Sequence, residues 1–179
     1  MSDEREKRSL FSFVVELLVI FIVAYVIAYV SQNFLFGNFQ IQQRSMEPTL
    51  YENERVLINR VVYYYSTPKR GDIVILEDPL GSRSDFVKRI VAVSGDTVEI
   101  RNGQTYINSK LLSEPYVVND MDNDNLGPLT IPQNRFFVMG DNRPKSSDSR
   151  RFGPVLRRNL LGKVFIVWWP PNQIHVPNR

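Results

Sequence analysis

The chain has 179 residues, with 22 Lys and Arg against 19 Asp and Glu, for a net charge of +3. That length suits one domain, or one domain with an anchor. The near-balanced charge argues against a nucleic-acid partner, which needs a concentrated basic face. With no cysteine, disulfides, thiolate metal sites and cysteine nucleophiles are all excluded. The single histidine, His175, sits in the Pro-rich terminal stretch WWPPNQIHV and reads as a partly exposed structural residue. A Ser-His-Asp triad would have to use this histidine, so acid–base chemistry is expected to draw on another residue.

In chain order, residues 1–9 (MSDEREKRS) are charged, and Leu10–Val30 (LFSFVVELLVIFIVAYVIAYV) carries one charge, Glu16. A membrane-spanning helix needs about 20 mostly apolar residues, and this run meets that length. Arg5, Lys7 and Arg8 precede the run, and the next basic residue is Arg44. That asymmetry places the N-terminus in the cytoplasm. The expected organisation is a cytoplasmic tail at 1–9, an anchor at 10–31 and an extracytoplasmic domain at 32–179. Two other readings compete. Leu17–Val30 has the length of a signal-peptide core, although Ala28-Tyr29-Val30 is a poor small-x-small cleavage site. A buried soluble helix is the third, but it does not need apolar residues all round.

After residue 50 the pattern becomes alternating. Arg55–Asn59, Asp72–Leu76, Phe86–Val93, Thr97–Arg101, Thr105–Ile107, Arg135–Met139 and Gly162–Trp168 are short and rich in β-branched or aromatic residues. Turn signals separate them, and Asn102-Gly103 is a strong hairpin signal because a type I′ turn needs two positive φ values. With no helical patterns between the strands, the expected class is mainly β, built of antiparallel sheet, behind one N-terminal transmembrane helix. Ser113–Pro132 reads as a solvated loop, part of a smaller insertion at about 100–134. Asp120, Asp122 and Asp124 alternate as in a calcium loop, but Asn125 and Ile131 stand where that motif wants Gly and Glu. The segment reads as a surface turn, and no metal is expected.

Three stretches carry candidate chemistry. In FVKRIVAV, strand alternation puts Lys88 on an apolar face with Phe86, Ile90 and Ala92, and Arg89 on the other face with Val87, Val91 and Val93. A buried lysine has a lowered pKa and serves as a general base when neutral. The alternative is an edge lysine that snorkels to water. In Gly140–Gly153 (GDNRPKSSDSRRFG), a tight turn leads into a run dense in hydroxyls and paired charges. It reads either as a plain polar loop or as a rigid shelf beside a site. In QRSMEPTL, Pro48 holds Glu47 in extended or turn conformations, which weakens a helix-cap role for Ser45. Met46 is expected to face an apolar interior while Ser45 faces a cleft.

Taken together and in order, these stretches closely resemble the bacterial type I signal peptidases (leader peptidases). Ser45-Met46-Glu47-Pro48-Thr49-Leu50 matches the family's nucleophile box, and Arg70-Gly71-Asp72-Ile73-Val74 its R-G-D box. Val87-Lys88-Arg89-Ile90-Val91 with Gly95-Asp96 matches its lysine box. Gly140-Asp141-Asn142-Arg143 with Ser146, Asp148, Ser149, Arg150 and Gly153 matches its G-D-N-R-x-x-S-x-D-S-R box.

The resemblance implies a signal-peptidase/LexA-like β fold and a membrane-anchored serine endopeptidase. It would remove signal peptides from exported preproteins after small-x-small sites, without cofactor or metal. Separately from the resemblance, a monomer is expected. The resemblance also implies Ser45 as nucleophile and Lys88 as general base, a variant of triad logic. Ser146 would orient the Lys88 amine, Asp141 would pair with Arg89, and Asp148 with Arg150. The Ser45 N–H and Gln43 would form the oxyanion hole, and Phe39, Ile41, Met46 and Val87 the substrate pocket. Gln43 departs from the glycine-containing version usual before the serine, so the second oxyanion donor is the least secured part. Two rivals remain at this stage. A LexA-type self-cleaving repressor shares the Ser-Lys pair but needs a DNA-binding helical domain at its N-terminus. A membrane-anchored β-rich interaction module would need neither the buried lysine nor the hydroxyl shelf.

Overall fold

The computed structural model describes residues 2–79, 81, 84–117 and 123–177. The chain divides into two compact units, Met1–Phe36 and Gly37–Arg179. The first is built on one helix, α1 (Ser2–Val30), of 29 residues. No Gly or Pro interrupts that stretch, so the helix runs back through the charged residues expected to form a separate tail. Ser12–Val30 is long and apolar enough to cross a membrane, and none of it is buried within the protein. At ~1.5 Å per residue it spans about 28 Å, close to the thickness of a bilayer's hydrocarbon core. A wider helical turn, Ser31–Leu35, ends the unit.

The second unit is antiparallel sheet. Its strands are β1 (Phe36–Gln40), β2 (Arg55–Asn59), β3 (Ile73–Leu76), β4 (Phe86–Ala92), β5 (Thr97–Arg101), β6 (Gln104–Ile107), β7 (Lys110–Leu111), β8 (Leu126–Thr130), β9 (Arg135–Met139), β10 (Val155–Leu156) and β11 (Leu160–Trp169). A seven-stranded sheet has the order β1-β2-β11-β3-β4-β9-β10, and a four-stranded sheet the order β7-β6-β5-β8. Two one-turn helices, α2 (Val62–Tyr65) and α3 (Ser149–Phe152), fill connections.

The larger sheet is covered on both faces, so its central strands β3 and β4 are buried on both sides, where the sequence pattern is expected to alternate. In β3, Ile73 and Ile75 enter one core cluster with Met46, Leu50, Val56 and Ile58, while Val74 and Leu76 enter a second with Phe86, Ile90 and Val138. In β9, Phe136 and Val138 belong to that second cluster, and Phe137 and Met139 to a third beneath the smaller sheet. Alternation along β4 holds from Phe86 to Ile90. A register shift between Ile90 and Ala92 then breaks it, so Ala92 joins Val91 in the third cluster instead of sharing the face of Lys88.

The segment expected as one solvated loop, Ser113–Pro132, is partly sheet. Leu126–Thr130 forms β8, paired with β5 through Val98 and Leu129. Gly127 and Pro128 hid it in the sequence, and its edge position accommodates the proline, which has no N–H to give to a second neighbour. Asp120 and Asp122 lie outside the described residues. Asp124 accepts from Arg150 Nη1 at 2.9 Å.

Candidate active site

Ser45 lies in a single tight helical turn, Arg44–Met46, between β1 and β2. Gln43 enters the turn in extended conformation and Glu47 leaves it extended, so the turn cannot propagate into a longer helix. Met46 points into the first core cluster with 1% of its surface exposed, while Ser45, 4% exposed, lines a small cleft of about 40 Å³. The turn is pinned by the segment that follows β9, because the Asn142 N–H donates to the Ser45 carbonyl at 3.0 Å. A Cβ on Gly140 would stand 2.4 Å from that same carbonyl oxygen and 2.4 Å from Ser146 Oγ. Only glycine permits this approach.

Lys88 comes from the middle of β4, opposite Val74 of β3. It is 1% exposed, and its Nζ lies 2.8 Å from Ser45 Oγ and 3.0 Å from the Val87 carbonyl. As an ammonium it donates to Ser45 Oγ; as a neutral amine it accepts the hydroxyl proton across the same distance. The Phe86 ring stands 5.1 Å from Nζ. Burial lowers the Lys88 pKa from 10.5 to about 8, the Asp148 and Asp141 charges oppose that shift, and Arg150 assists it.

Both aspartates are held by arginines. Asp141 receives Arg89 Nε at 2.8 Å and Nη2 at 2.7 Å, in a pair with 0% and 1% of the side chains exposed. Thr49 Oγ1 adds a 2.5 Å bond to Asp141 Oδ2 and accepts from Arg89 Nη2 at 3.3 Å. Asp148 caps α3, accepting the Arg150 N–H at 3.2 Å, Arg150 Nε and Nη2 each at 2.9 Å, and the Gly140 N–H at 3.1 Å. Each carboxylate thus has a guanidinium on it, which limits how strongly either favours a charged Lys88.

Of the residues singled out from sequence, Ser45, Lys88, Arg89, Asp141, Asp148 and Arg150 form one continuous arrangement. Ser146 is adjacent, but its Oγ accepts the Gly140 N–H at 3.2 Å. Among the described residues the hydrogen-bond partners of Lys88 Nζ are Ser45 Oγ and the Val87 carbonyl, and Ser146 is not one of them. Phe39, Ile41, Val87 and Gln43 line the cleft with Ser45; Met46 does not, being committed to the core behind it. The Gln43 side chain is exposed and makes no capping bond to the turn. Ile75, Ser84 and Asp85 also line the cleft. The signal for Thr49, Gly140 and Asn142 lay inside the quoted boxes. Nothing in sequence spacing pointed to Ser84 or Asp85.

A family model described as "Signal peptidase, peptidase S26" matches residues 14–169. Signal peptidase I of Bacillus amyloliquefaciens is 40% identical over 184 residues, covering 97% of this chain and 98% of that protein. Signal peptidase I S of Bacillus subtilis (strain 168) is 39% identical over 168 residues, covering 88% of this chain and 90% of that protein. A crystal structure of a signal peptidase I from Enterococcus faecalis V583 is 34% identical with a TM-score of 0.49, covering 55% of this chain and 97% of its own. A family match over most of the chain, relatives aligned nearly end to end, and a buried serine–lysine pair lead to one conclusion: the chain belongs to the signal peptidase family, peptidase S26.

Proposed function

We propose that this protein is a membrane-anchored serine endopeptidase that removes signal peptides from exported preproteins, with Ser45 as nucleophile and Lys88 as its base. The observation that carries this reading is the 2.8 Å approach of Lys88 Nζ to Ser45 Oγ, where burial brings the amine to about 8. Near neutral pH a useful fraction of such an amine is unprotonated, which is what a base for a serine hydroxyl requires.

In the forward step Lys88 Nζ takes the Ser45 hydroxyl proton as Oγ bonds to the scissile carbonyl carbon. The developing oxyanion accepts from the Ser45 N–H, which stands near the start of its turn with no helical carbonyl behind it. Gln43 lines the cleft, and its side-chain amide would supply the second donor. The Lys88 ammonium then returns its proton to the leaving amine, and an ester remains on Ser45. A water attacks that ester, with Lys88 again the base, and releases the carboxylate end of the signal peptide. Ser146 acts through Gly140, by fixing the peptide that packs on the Ser45 carbonyl, rather than through the amine.

Phe39, Ile41 and Val87 form the cleft wall, while Met46 belongs to the core and takes no part in it. A narrow cleft walled by these apolar side chains favours short side chains such as alanine, in keeping with small-x-small sites. The substrate adds as an extended strand. The basic residues ahead of the apolar helix support a cytoplasmic N-terminus with the catalytic unit on the opposite side of the membrane. Confinement to one membrane raises the effective concentration of the signal peptide. The protein acts as a monomer with no nucleic-acid partner. In detergent, wild type should cut a model preprotein after its small-x-small site, and Lys88→Ala should leave it intact. Equal cleavage by both proteins would remove lysine from the mechanism.

A further inference from the structure

The turn Glu114–Val117, closed by the Val117 N–H on the Glu114 carbonyl at 3.0 Å, reaches the back of the dyad at two points. The Tyr116 ring lies against the Arg89 guanidinium, whose Cζ is 3.9 Å from the ring centroid, a cation–π contact beside the Arg89–Asp141 pair. The Tyr116 hydroxyl donates to Glu114 Oε1 at 3.0 Å, and the same oxygen receives Arg143 Nη2 at 2.5 Å. Arg143 is nearly fully buried. Its Nε donates to the Gly140 carbonyl at 3.2 Å and its Nη1 to Thr105 Oγ1 of β6 at 3.1 Å. The chain of contacts therefore runs from the Tyr116–Glu114 turn to both ends of Gly140–Arg143. That segment holds the Ser45 carbonyl and carries Asp141.

We infer that Tyr116 and Glu114 are positioning residues for the Ser45–Lys88 pair, acting through Arg89 and Arg143 to keep Gly140–Asn142 against the nucleophile and water away from the amine. The inference rests on the dyad reading above. The charged and titratable groups around Lys88 Nζ are Asp148, Asp141 and Arg150 from the segment after β9, with Arg89 next in β4 paired to Asp141. Glu114 and Tyr116 touch the amine only through this shell. Losing the ring opens Arg89 and Asp141 to water and frees the Gly140 segment. A better hydrated Lys88 is then harder to deprotonate, while Phe39, Ile41 and Val87 still form the cleft.

The test is the pH profile of peptide cleavage by the full-length protein in detergent. Tyr116→Ala should move the midpoint of kcat/KM upward by about one pH unit, so that activity at pH 7 falls about tenfold, mainly in kcat, and recovers toward wild type at high pH. Tyr116→Phe keeps the ring on Arg89 and should keep the wild-type midpoint. A merely structural role lowers the amount of active enzyme and leaves the midpoint in place; an unmoved midpoint in Tyr116→Ala overturns the inference whatever the amplitude. If Tyr116→Ala does not fold, Tyr116→Leu, which keeps apolar bulk without the ring's negative face, is read by the same criterion. A wild-type profile with no rising limb, or an active Lys88→Ala, would instead fail the dyad reading.

Discussion

Replacing Lys88 by methionine should make the protein more stable below pH 8 while abolishing cleavage. Lys88 is buried and its pKa falls from 10.5 to about 8, with burial the largest cause. At ~1.4 kcal/mol per pH unit that displacement corresponds to about 3 kcal/mol. The sign follows from proton counting. Between about pH 8 and 10.5 the unfolded chain holds a proton on Lys88 that the folded chain does not, so stability rises with pH there. Below about 8 both states are protonated, and the folded state bears the full penalty of a buried ammonium. Methionine has a similar shape and no charge. The stability difference between Lys88→Met and wild type should therefore shrink by about 3 kcal/mol from pH 7 to pH 11. Packing changes and the lost bonds to Ser45 and Val87 add a pH-independent offset, which cancels in that slope. Urea denaturation in detergent, followed by the fluorescence of Trp168 and Trp169, suits the measurement. Both tryptophans lie on β11, so the signal reports on the sheet unit and not on α1. A difference that stays flat with pH, or grows as pH rises, would refute a neutral lysine in the folded state.

Other outcomes follow from the same geometry. Cleavage by wild type should rise about tenfold per pH unit below a midpoint near 8 and level off above it, whereas a profile still climbing past pH 10 would contradict the placement of Lys88. Lys88→Arg should be inactive at every pH, since a guanidinium stays protonated, and a peptide assay at pH 9 checks this. Gly140→Ala forces a Cβ to within 2.4 Å of the Ser45 carbonyl unless the backbone moves, so kcat should fall about 100-fold or more as the nucleophile is displaced. Asp141→Ala leaves Arg89 buried without its carboxylate and should cost about 3–5 kcal/mol in the same denaturation assay.

Much of the sheet could be read from the chain because its strands are apolar and β-branched: β2, β5 and β9 begin and end where the pattern of Arg55–Asn59, Thr97–Arg101 and Arg135–Met139 places them. The missed elements share physical reasons. β1 contains Gly37, whose Cβ position is already occupied by Arg60 and Ile58, so a small residue there marks packing rather than a break. β8 carries Gly127 and Pro128 at a sheet edge, and α2 and α3 are single turns with no period to detect. At the site, Lys88 was legible because a cation between Phe86 and Ile90 conflicts with its neighbours on a strand. Ser45 was legible only through the boxes around it, since nothing in QRSMEPTL alone distinguishes a nucleophile from a turn serine. The bond from Ser146 to the Gly140 N–H, and the Tyr116 contact to Arg89, depend on side-chain directions that a sheet pattern does not encode.

In the proposed reaction Ser45, activated by Lys88, forms a covalent ester with the substrate. Acid quenching during turnover of an ester or thioester substrate, followed by peptide mass mapping, tests it directly. A single acyl adduct on the peptide containing Ser45 is expected, absent from Ser45→Ala and from Lys88→Ala. An adduct on any other side chain, or cleavage that persists in Ser45→Ala, would contradict it.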